Sequence, residues 1–121
     1  MTTTIELFRH ATNVEKIAAG NTIFEEGQTA ACMYVVQHGE VEIWVKGKLL
    51  ETLGEGAAFG EMSLIEDAPR SATVIAKTDC AIVPIDRKRF EFLVQQTPHF
   101  ALTIMQIMSE RLRKLHTLAL E

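Results

Sequence analysis

Short apolar pieces separated by turn residues fill the chain from Val14 to Val83. The turn signals are Gly20-Asn21, Gly27, His38-Gly39, Gly47, Gly54, Gly56 and Ala68-Pro69. Pieces of this length bounded by glycine are typical of β-strands in an all-β fold. The clearest alternation of aliphatic and polar or aromatic positions is carried by the run Val41-Glu42-Ile43-Trp44-Val45-Lys46. Lys46-Gly47, at the end of this run, predicts a two-residue hairpin.

Helical spacing appears on both sides of this region. From Ile5 to Ala11 the pattern is weakly helical, with Thr4 placed to cap and Glu6 in the first turn. A negative charge there suits the helix dipole, so we predict a short lead-in helix within residues 1–13.

After Pro84 the apolar period changes to that of helices. Asp86 is placed to cap a helix from Arg87 to Gln96, with an apolar face formed by Phe90, Leu93 and Val94. Pro98 ends that helix and opens a second one that runs to about Leu120, because proline is tolerated at the first helical position.

The final helix carries an apolar stripe at alternating steps of three and four residues, which is the spacing of a coiled-coil seam. The stripe consists of Met105, Met108, Leu112, Leu115 and Ala119. One interpretation is a homodimer through this helix. The other is packing on the chain's own strands, since Ile104 and Ile107 widen the apolar surface.

These elements predict a mainly β fold with flanking helices, a β-roll of the double-stranded β-helix, jelly-roll-like kind. At 121 residues and 47 % hydrophobic, the chain has the size and apolar content of one domain, residues 1–121. Within it we expect the lead-in helix at 1–13, the roll at 14–85 and the C-terminal helices at 86–121.

The net charge and the two cysteines exclude several classes of partner and site. The formal charge of -4 gives no broad positive field, so we expect neither nucleic acid nor a membrane as partner. The basic run Arg87-Lys88-Arg89 lacks an aromatic platform and is interpreted as a solvated face. Cys32 and Cys80 match no metal or redox spacing, which favours free thiols in a cytoplasmic protein.

The densest chemistry lies in residues 59–74, here called the cassette. It reads Phe-Gly-Glu-Met-Ser-Leu-Ile-Glu-Asp-Ala-Pro-Arg-Ser-Ala-Thr-Val. Gly60 permits a close backbone approach, and Glu61 to Ile65 can form a helical turn whose amides face an anion. Pro69 turns the chain so that Arg70 returns to the same place with a planar, charged fork suited to phosphate.

The carboxylate of Glu61 requires its own explanation, because it would repel a phosphate. It suits a neutral hydroxyl beside that phosphate, such as a ribose 2′-OH. Together these residues predict a site for a ribose that carries a compact phosphate.

At these residues the chain resembles the cyclic-nucleotide-binding domain family, which includes catabolite-activator-type regulators, kinase regulatory subunits and gated channels. The resemblance extends over two further segments in the same order. They are Gly20-Asn21-Thr22-Ile23-Phe24-Glu25-Glu26-Gly27 and Met33-Tyr34-Val35-Val36-Gln37-His38-Gly39-Glu40-Val41-Glu42-Ile43.

The resemblance implies that Glu61 receives the ribose 2′-OH and that Arg70 pairs with the cyclic phosphate. It implies that Ser71 also reaches the phosphate and that the last helix closes over the base. The residues assigned to ligand binding are Gly60, Glu61, Met62, Ser63, Arg70, Ser71, Ala72, Arg111, Leu115 and His116. Leu115 and His116 depart from the catabolite-activator pattern, which has hydroxyl residues there.

The predicted function is a sensor or regulatory domain for a cyclic nucleotide, cAMP in preference to cGMP, which transmits binding through its C-terminal helix in signal transduction. The cyclic nucleotide is its ligand, no further cofactor is expected, and a protein partner is unknown. The helix-turn-helix that catabolite-activator-type regulators add does not follow here, so direct DNA binding by this chain is not expected. The chain is either a stand-alone sensor or the sensory part of a longer protein.

Two alternatives accompany this prediction. In a ligand-free roll, Arg70 and Glu61 would form a salt bridge and the domain would be an interaction scaffold or dimerisation module. A cupin-like metalloenzyme would need clustered histidines, but the four histidines are scattered, so we expect no metal. Catalysis is not expected either, since Glu66-Asp67 has the character of a solvated loop and no nucleophile setting is evident.

Overall fold

The computed structural model describes residues 3–120, which contain eight β-strands and three α-helices. The strands are β1 (Glu15–Ile17), β2 (Thr22–Phe24), β3 (Cys32–His38), β4 (Val41–Val45), β5 (Lys48–Leu53), β6 (Ala58–Phe59), β7 (Thr73–Ala76) and β8 (Cys80–Asp86). The helices are α1 (Glu61–Glu66), α2 (Arg87–Gln96) and α3 (Pro98–Ala119). The mainly β fold with flanking helices is therefore confirmed.

The strands form two four-stranded antiparallel sheets, in the orders β1-β8-β3-β6 and β2-β7-β4-β5. Strands that are distant in sequence lie side by side, for example Val35 of β3 opposite Val83 of β8. This order brings both ends of the cassette into the roll, because β6 belongs to one sheet and β7 to the other.

Two apolar clusters hold the elements together. One lies between the sheets and includes Phe59, Val74 and Ile82, and the other joins the first sheet to the helices. Strand β3 contributes to both, since Met33 faces the helices and Val36 faces the second sheet. A strand buried on both faces explains why this run is almost continuously apolar.

The predicted hairpin is present between β4 and β5. Val41 and Ile43 are buried, and Lys46 and Gly47 form the two-residue turn. Both turn residues have positive φ, 50° and 77°, as a type I′ turn requires.

Helix α2 has the predicted bounds and the predicted cap. The Asp86 side chain accepts a hydrogen bond from the Arg89 amide at 2.8 Å. Leu93 is buried, and Phe90 and Val94 pack against the cluster beneath the helices.

The predicted lead-in helix is wrong. Residues 7–10 form turns instead, closed by the Arg9 amide on the Glu6 carbonyl at 3.1 Å and by the Ala11 amide on the Phe8 carbonyl at 3.1 Å. Tertiary contacts override the weak helical pattern, since the Gln37 side chain donates to the Phe8 and Ala11 carbonyls. Residues 1, 2 and 121 lie outside the described residues.

Helix α3 buries a different face from the predicted stripe. Its buried residues are Phe100, Ile104, Ile107 and Arg111. Met105 and Leu112 of the stripe are 61 % and 68 % exposed, so the alternative that the whole stripe packs on its own roll is wrong. Between residues 3 and 120, no helix combines the length and the apolarity needed to cross a bilayer.

Candidate functional site

The cassette bends sharply where strand β6 meets helix α1. Gly60 has φ +81°, and a Cβ at this position would lie 2.7 Å from Nη1 of Arg70. Only glycine adopts this backbone conformation without strain and leaves room for the guanidinium. The predicted helical turn after it is confirmed as α1.

Arg70 returns to this bend as predicted and is almost completely buried, with 6 % of its surface exposed. Its Nη1 donates to the Gly60 carbonyl at 3.2 Å and its Nη2 to the Cys32 carbonyl at 2.6 Å. The guanidinium carbon lies 3.9 Å from the centre of the Phe24 ring. Two carbonyl dipoles and an aromatic face are thus its partners.

No carboxylate among residues 3–120 lies within ion-pair distance of Arg70, and its Nε has no hydrogen-bond partner there. Burial lowers the pKa of Arg70 below its ordinary value, although Tyr34 and Cys32 act in the opposite direction. A buried cation without a counter-charge is energetically costly, so the arrangement favours an anion at this place.

Glu61 forms its ion pair with a different arginine. Its Oε1 accepts from Nη1 of Arg111, and its Oε2 accepts from the Met62 amide at 3.2 Å. The alternative that Arg70 and Glu61 lock onto each other is therefore wrong. Glu61 is 1 % exposed, so the ion pair with Arg111 offsets the cost of burying its carboxylate.

Arg111 connects helix α3 to the roll through three acceptors. Besides Glu61, its Nε donates to Oε2 of Glu51 at 2.6 Å and its Nη2 to the Ala58 carbonyl at 2.9 Å. The other oxygen of Glu51 accepts from Nζ of Lys114 at 2.9 Å. These four charged residues, Glu51, Glu61, Arg111 and Lys114, are here called the α3 network.

The ion pairs shift the pKa values of the network. Burial alone would raise the pKa of Glu51, but Arg111 and Lys114 outweigh it and hold that pKa below its ordinary value. Burial alone would lower the pKa of Arg111, but Glu61 and Glu51 raise it above its ordinary value. Both groups are therefore charged at neutral pH.

One cavity of about 30 Å³ collects most of the predicted ligand-binding residues. It is lined by Phe24, Ile43, Phe59, Gly60, Glu61, Met62, Ser63, Arg70, Ser71, Ala72, Val74 and Arg111. The lining contains eight of the ten residues assigned from the sequence, and their roles in binding stay predictions.

The last two assigned residues lie elsewhere. Leu115 lines a groove of about 340 Å³ with Met62, Met105, Met108, Ser109 and Leu112. His116 is exposed and lines neither the cavity nor the groove. Contact of these two residues with a ligand stays a prediction.

Sequence reasoning missed three important side chains. Phe24 supports Arg70, and it could have been found because it lies in a quoted segment that resembles the family. Glu51 and Lys114 are joined only by tertiary structure, 63 residues apart, so no local spacing indicates them. Among residues 3–120, no three histidine, cysteine, aspartate or glutamate side chains are grouped as a metal would require, and both cysteines are free thiols.

Comparison with known proteins decides the family. A family model described as the cyclic nucleotide-binding domain matches residues 14–97. The chain belongs to the cyclic nucleotide-binding domain family. It is a cyclic nucleotide-binding regulatory domain, as the sequence resemblance implied.

Solved structures agree with this assignment. The Thermus thermophilus catabolite activator protein is 28 % identical with a TM-score of 0.78, over 86 % of this chain and 51 % of its own. The c-di-GMP-responsive regulator CLP of Xanthomonas campestris is 25 % identical with a TM-score of 0.79. The match covers 93 % of this chain and 59 % of the regulator. The chain thus spans only about half the length of these regulators.

The EAL enzyme Bd1971 is similar in two ligand-bound forms. Its cAMP-bound form is 31 % identical with a TM-score of 0.65, over 88 % of this chain and 29 % of its own. Its cGMP-bound form is 31 % identical with a TM-score of 0.64, and the match covers 83 % of this chain and 28 % of the enzyme. The match covers a minor part of that enzyme, so it assigns no catalysis to this chain.

Proposed function

We propose that this domain senses cAMP, which binds at the cavity between the cassette and α3. Arg70 pairs with the cyclic phosphate, and Glu61 receives the ribose 2′-OH. The observation that carries this proposal is the buried Arg70 guanidinium, which has no carboxylate partner among residues 3–120 and an unused Nε. A ligand with one negative charge supplies the missing partner and forms strong charge-assisted hydrogen bonds.

Glu61 supports a sugar hydroxyl beside the phosphate. Each carboxylate oxygen has two acceptor sites, and each Glu61 oxygen uses one within the chain. The carboxylate therefore keeps acceptor capacity for a hydroxyl while Arg111 remains in place. An inorganic phosphate would gain nothing from this carboxylate, which favours a phosphorylated sugar.

Ligand entry requires movement, because the cavity of about 30 Å³ does not hold a nucleotide. Arg111 of α3 lines this cavity, so opening it involves the helix as well as the cassette. Binding is then coupled to the position of α3, in agreement with a population shift in which the ligand prefers one helix position. This coupling is the proposed route of transmission.

The test is calorimetric titration of the purified protein with cAMP, cGMP and 5′-AMP. We expect saturable binding of cAMP, weaker binding of cGMP and the weakest binding of 5′-AMP, whose phosphate is not cyclised. Tighter binding of cGMP would overturn the choice of nucleotide. The absence of heat with either cyclic nucleotide at millimolar concentration would favour the ligand-free scaffold.

The exposed groove favours a second function, self-association through α3. Met105 and Leu112 are apolar and more than half exposed, and they lie beside Met62 of α1. Their spacing suits a coiled-coil seam with a second copy of this chain. We infer a homodimer through this groove.

A further inference from the structure

Glu51 is a buried carboxylate that the ligand-binding assignment does not include. It lies on β5, is 8 % exposed, and uses its two oxygens for two different cations of α3. Arg111 and Lys114 are three residues apart, so they face the same side of the helix. A single carboxylate on β5 thus binds two side chains that are three residues apart on α3.

The orientation of Arg111 depends on this carboxylate. Glu51 accepts from Nε, while the two terminal nitrogens of Arg111 donate to Glu61 and to the Ala58 carbonyl. Because each of the three nitrogens of the planar guanidinium has its own acceptor, the group is held in a single orientation. Because Arg111 is the ion-pair partner of Glu61, a disturbance at Glu51 changes the surroundings of the Glu61 carboxylate.

Apolar packing does not provide this positioning. The buried apolar residues of α3 end at Ile107, and no residue between Leu112 and Leu120 is buried. The turn of α3 that carries Arg111 and Lys114 is therefore fixed to the roll mainly by the charged network, beside the hydrogen bonds that Thr3 donates to Glu110.

We propose that Glu51, held by Lys114, is a positioning residue that fixes Arg111 and thereby orients the Glu61 carboxylate toward the ribose hydroxyl. This proposal rests on the proposed function and adds a determinant of its sugar specificity. Glu51 itself makes no contact with the ligand in this account.

A simpler explanation is that Glu51 only adds a negative charge to the field around an anion site. Two substitutions separate the explanations, because they change the net charge in opposite directions. Glu51→Gln removes a negative charge, and Lys114→Gln removes a positive one. A field effect would strengthen binding of an anionic ligand in the first variant and weaken it in the second, whereas loss of positioning weakens it in both.

The experiment measures the affinities of cAMP and 2′-deoxy-cAMP for the wild type and both variants by calorimetry. A hydrogen bond to a charged group predicts that the wild type prefers cAMP by roughly tenfold or more. We expect Glu51→Gln to weaken cAMP binding by about tenfold and to bring the preference close to one. Lys114→Gln should have a smaller effect in the same direction, about threefold, since Arg111 still holds Glu51.

Matched controls are Glu55→Gln and Arg113→Gln, which make the same charge changes at exposed side chains. We expect both controls to retain the wild-type affinity and preference, and circular dichroism to show every variant folded. If the affinity for cAMP rose in Glu51→Gln and fell in Lys114→Gln, or if Glu51→Gln kept the wild-type preference for the 2′-hydroxyl, the positioning role would be overturned. The proposed function would stand in either case. If the wild type bound neither nucleotide, the proposed function would fail, and the positioning role with it.

Discussion

The guanidinium of Arg70 stacks on the ring of Phe24, with 3.9 Å between the guanidinium carbon and the ring centre. The stacking holds the plane of the fork while two carbonyls hold its terminal nitrogens. A permanently charged group is therefore kept in a fixed orientation without a carboxylate partner in the described chain. The orientation of the guanidinium is thus set within the chain itself, before any ligand binds.

The first prediction concerns this charge. Arg70→Ala should weaken cAMP binding by roughly 3 to 6 kcal/mol, because about two charge-assisted hydrogen bonds are lost. Calorimetry with Arg113→Ala as the control measures the effect. A loss under tenfold, about 1.4 kcal/mol, would show that Arg70 does not bind the phosphate. The domain should stay folded by circular dichroism, since the substitution removes a charge that is costly to bury.

The second prediction concerns the bend at Gly60. Gly60→Ala should destabilise the fold by about 1 to 2 kcal/mol through backbone strain and by about 1 to 3 kcal/mol more through displacement of Arg70. Gly20→Ala is the matched control, because Gly20 has φ +86° and open space around the added Cβ. Urea unfolding, followed by the fluorescence of Trp44, compares the two. Equal losses would mean that the contact with Arg70 adds nothing.

The third prediction concerns pH. The folded-state pKa of Glu51 lies below its ordinary value of 4.5, so its charged form stabilises the fold. This stabilisation is complete above about pH 4.5 and is lost as the pH falls through the folded-state pKa. Glu51→Gln should therefore lower the free energy of unfolding by about 3 kcal/mol at pH 7, and by progressively less below pH 4.5.

Chemical denaturation of the wild type and Glu51→Gln at several pH values between 3 and 7 checks this result, with ~0.5 unit spacing to resolve a single titration. Acidic groups outside the α3 network, including Glu110, titrate in both proteins, so the difference between the two reports on the network that contains Glu51. A difference that does not change with pH would contradict the assigned ion pairs.

The fourth prediction concerns self-association. Leu112→Glu places a charge in the groove and should convert the proposed dimer to a monomer in sedimentation equilibrium. Leu7→Glu is the control, because Leu7 is exposed to a similar degree, 58 % against 68 %, and lies outside the groove. A monomeric wild type, or a Leu112→Glu variant that stays dimeric, would rule out this surface.

Much of the fold could be predicted because its signals are local. The hairpin at Lys46-Gly47 and the cap at Asp86 depend on residues that are adjacent in sequence. The lead-in helix could not be judged in this way. Ile5 donates to the Gly56 carbonyl at 2.6 Å, and that partner is distant in sequence. A weak periodicity gives no information about such competition.

The candidate site shows the same division. Gly60, Glu61 and Arg70 lie within one short segment, so their types and spacing indicate a site for a phosphorylated sugar. Glu51 has no such context, since it acts through Arg111, which is 60 residues away. The pairing of a strand with a distant helix is a property of topology, which local patterns do not contain.

Helix α3 has its last buried residue at Arg111, and Lys114 in the next turn still bonds to Glu51 of the roll. At 1.5 Å per residue, Ala119 lies about 12 Å beyond Arg111 along the helix axis. A tilt of about 10° centred on Arg111 would displace Ala119 by about 2 Å, the size of the helix shifts that occur at subunit interfaces. Under the proposed function, the end of α3 would therefore magnify a small adjustment at the ribose site into a shift that a second subunit could detect.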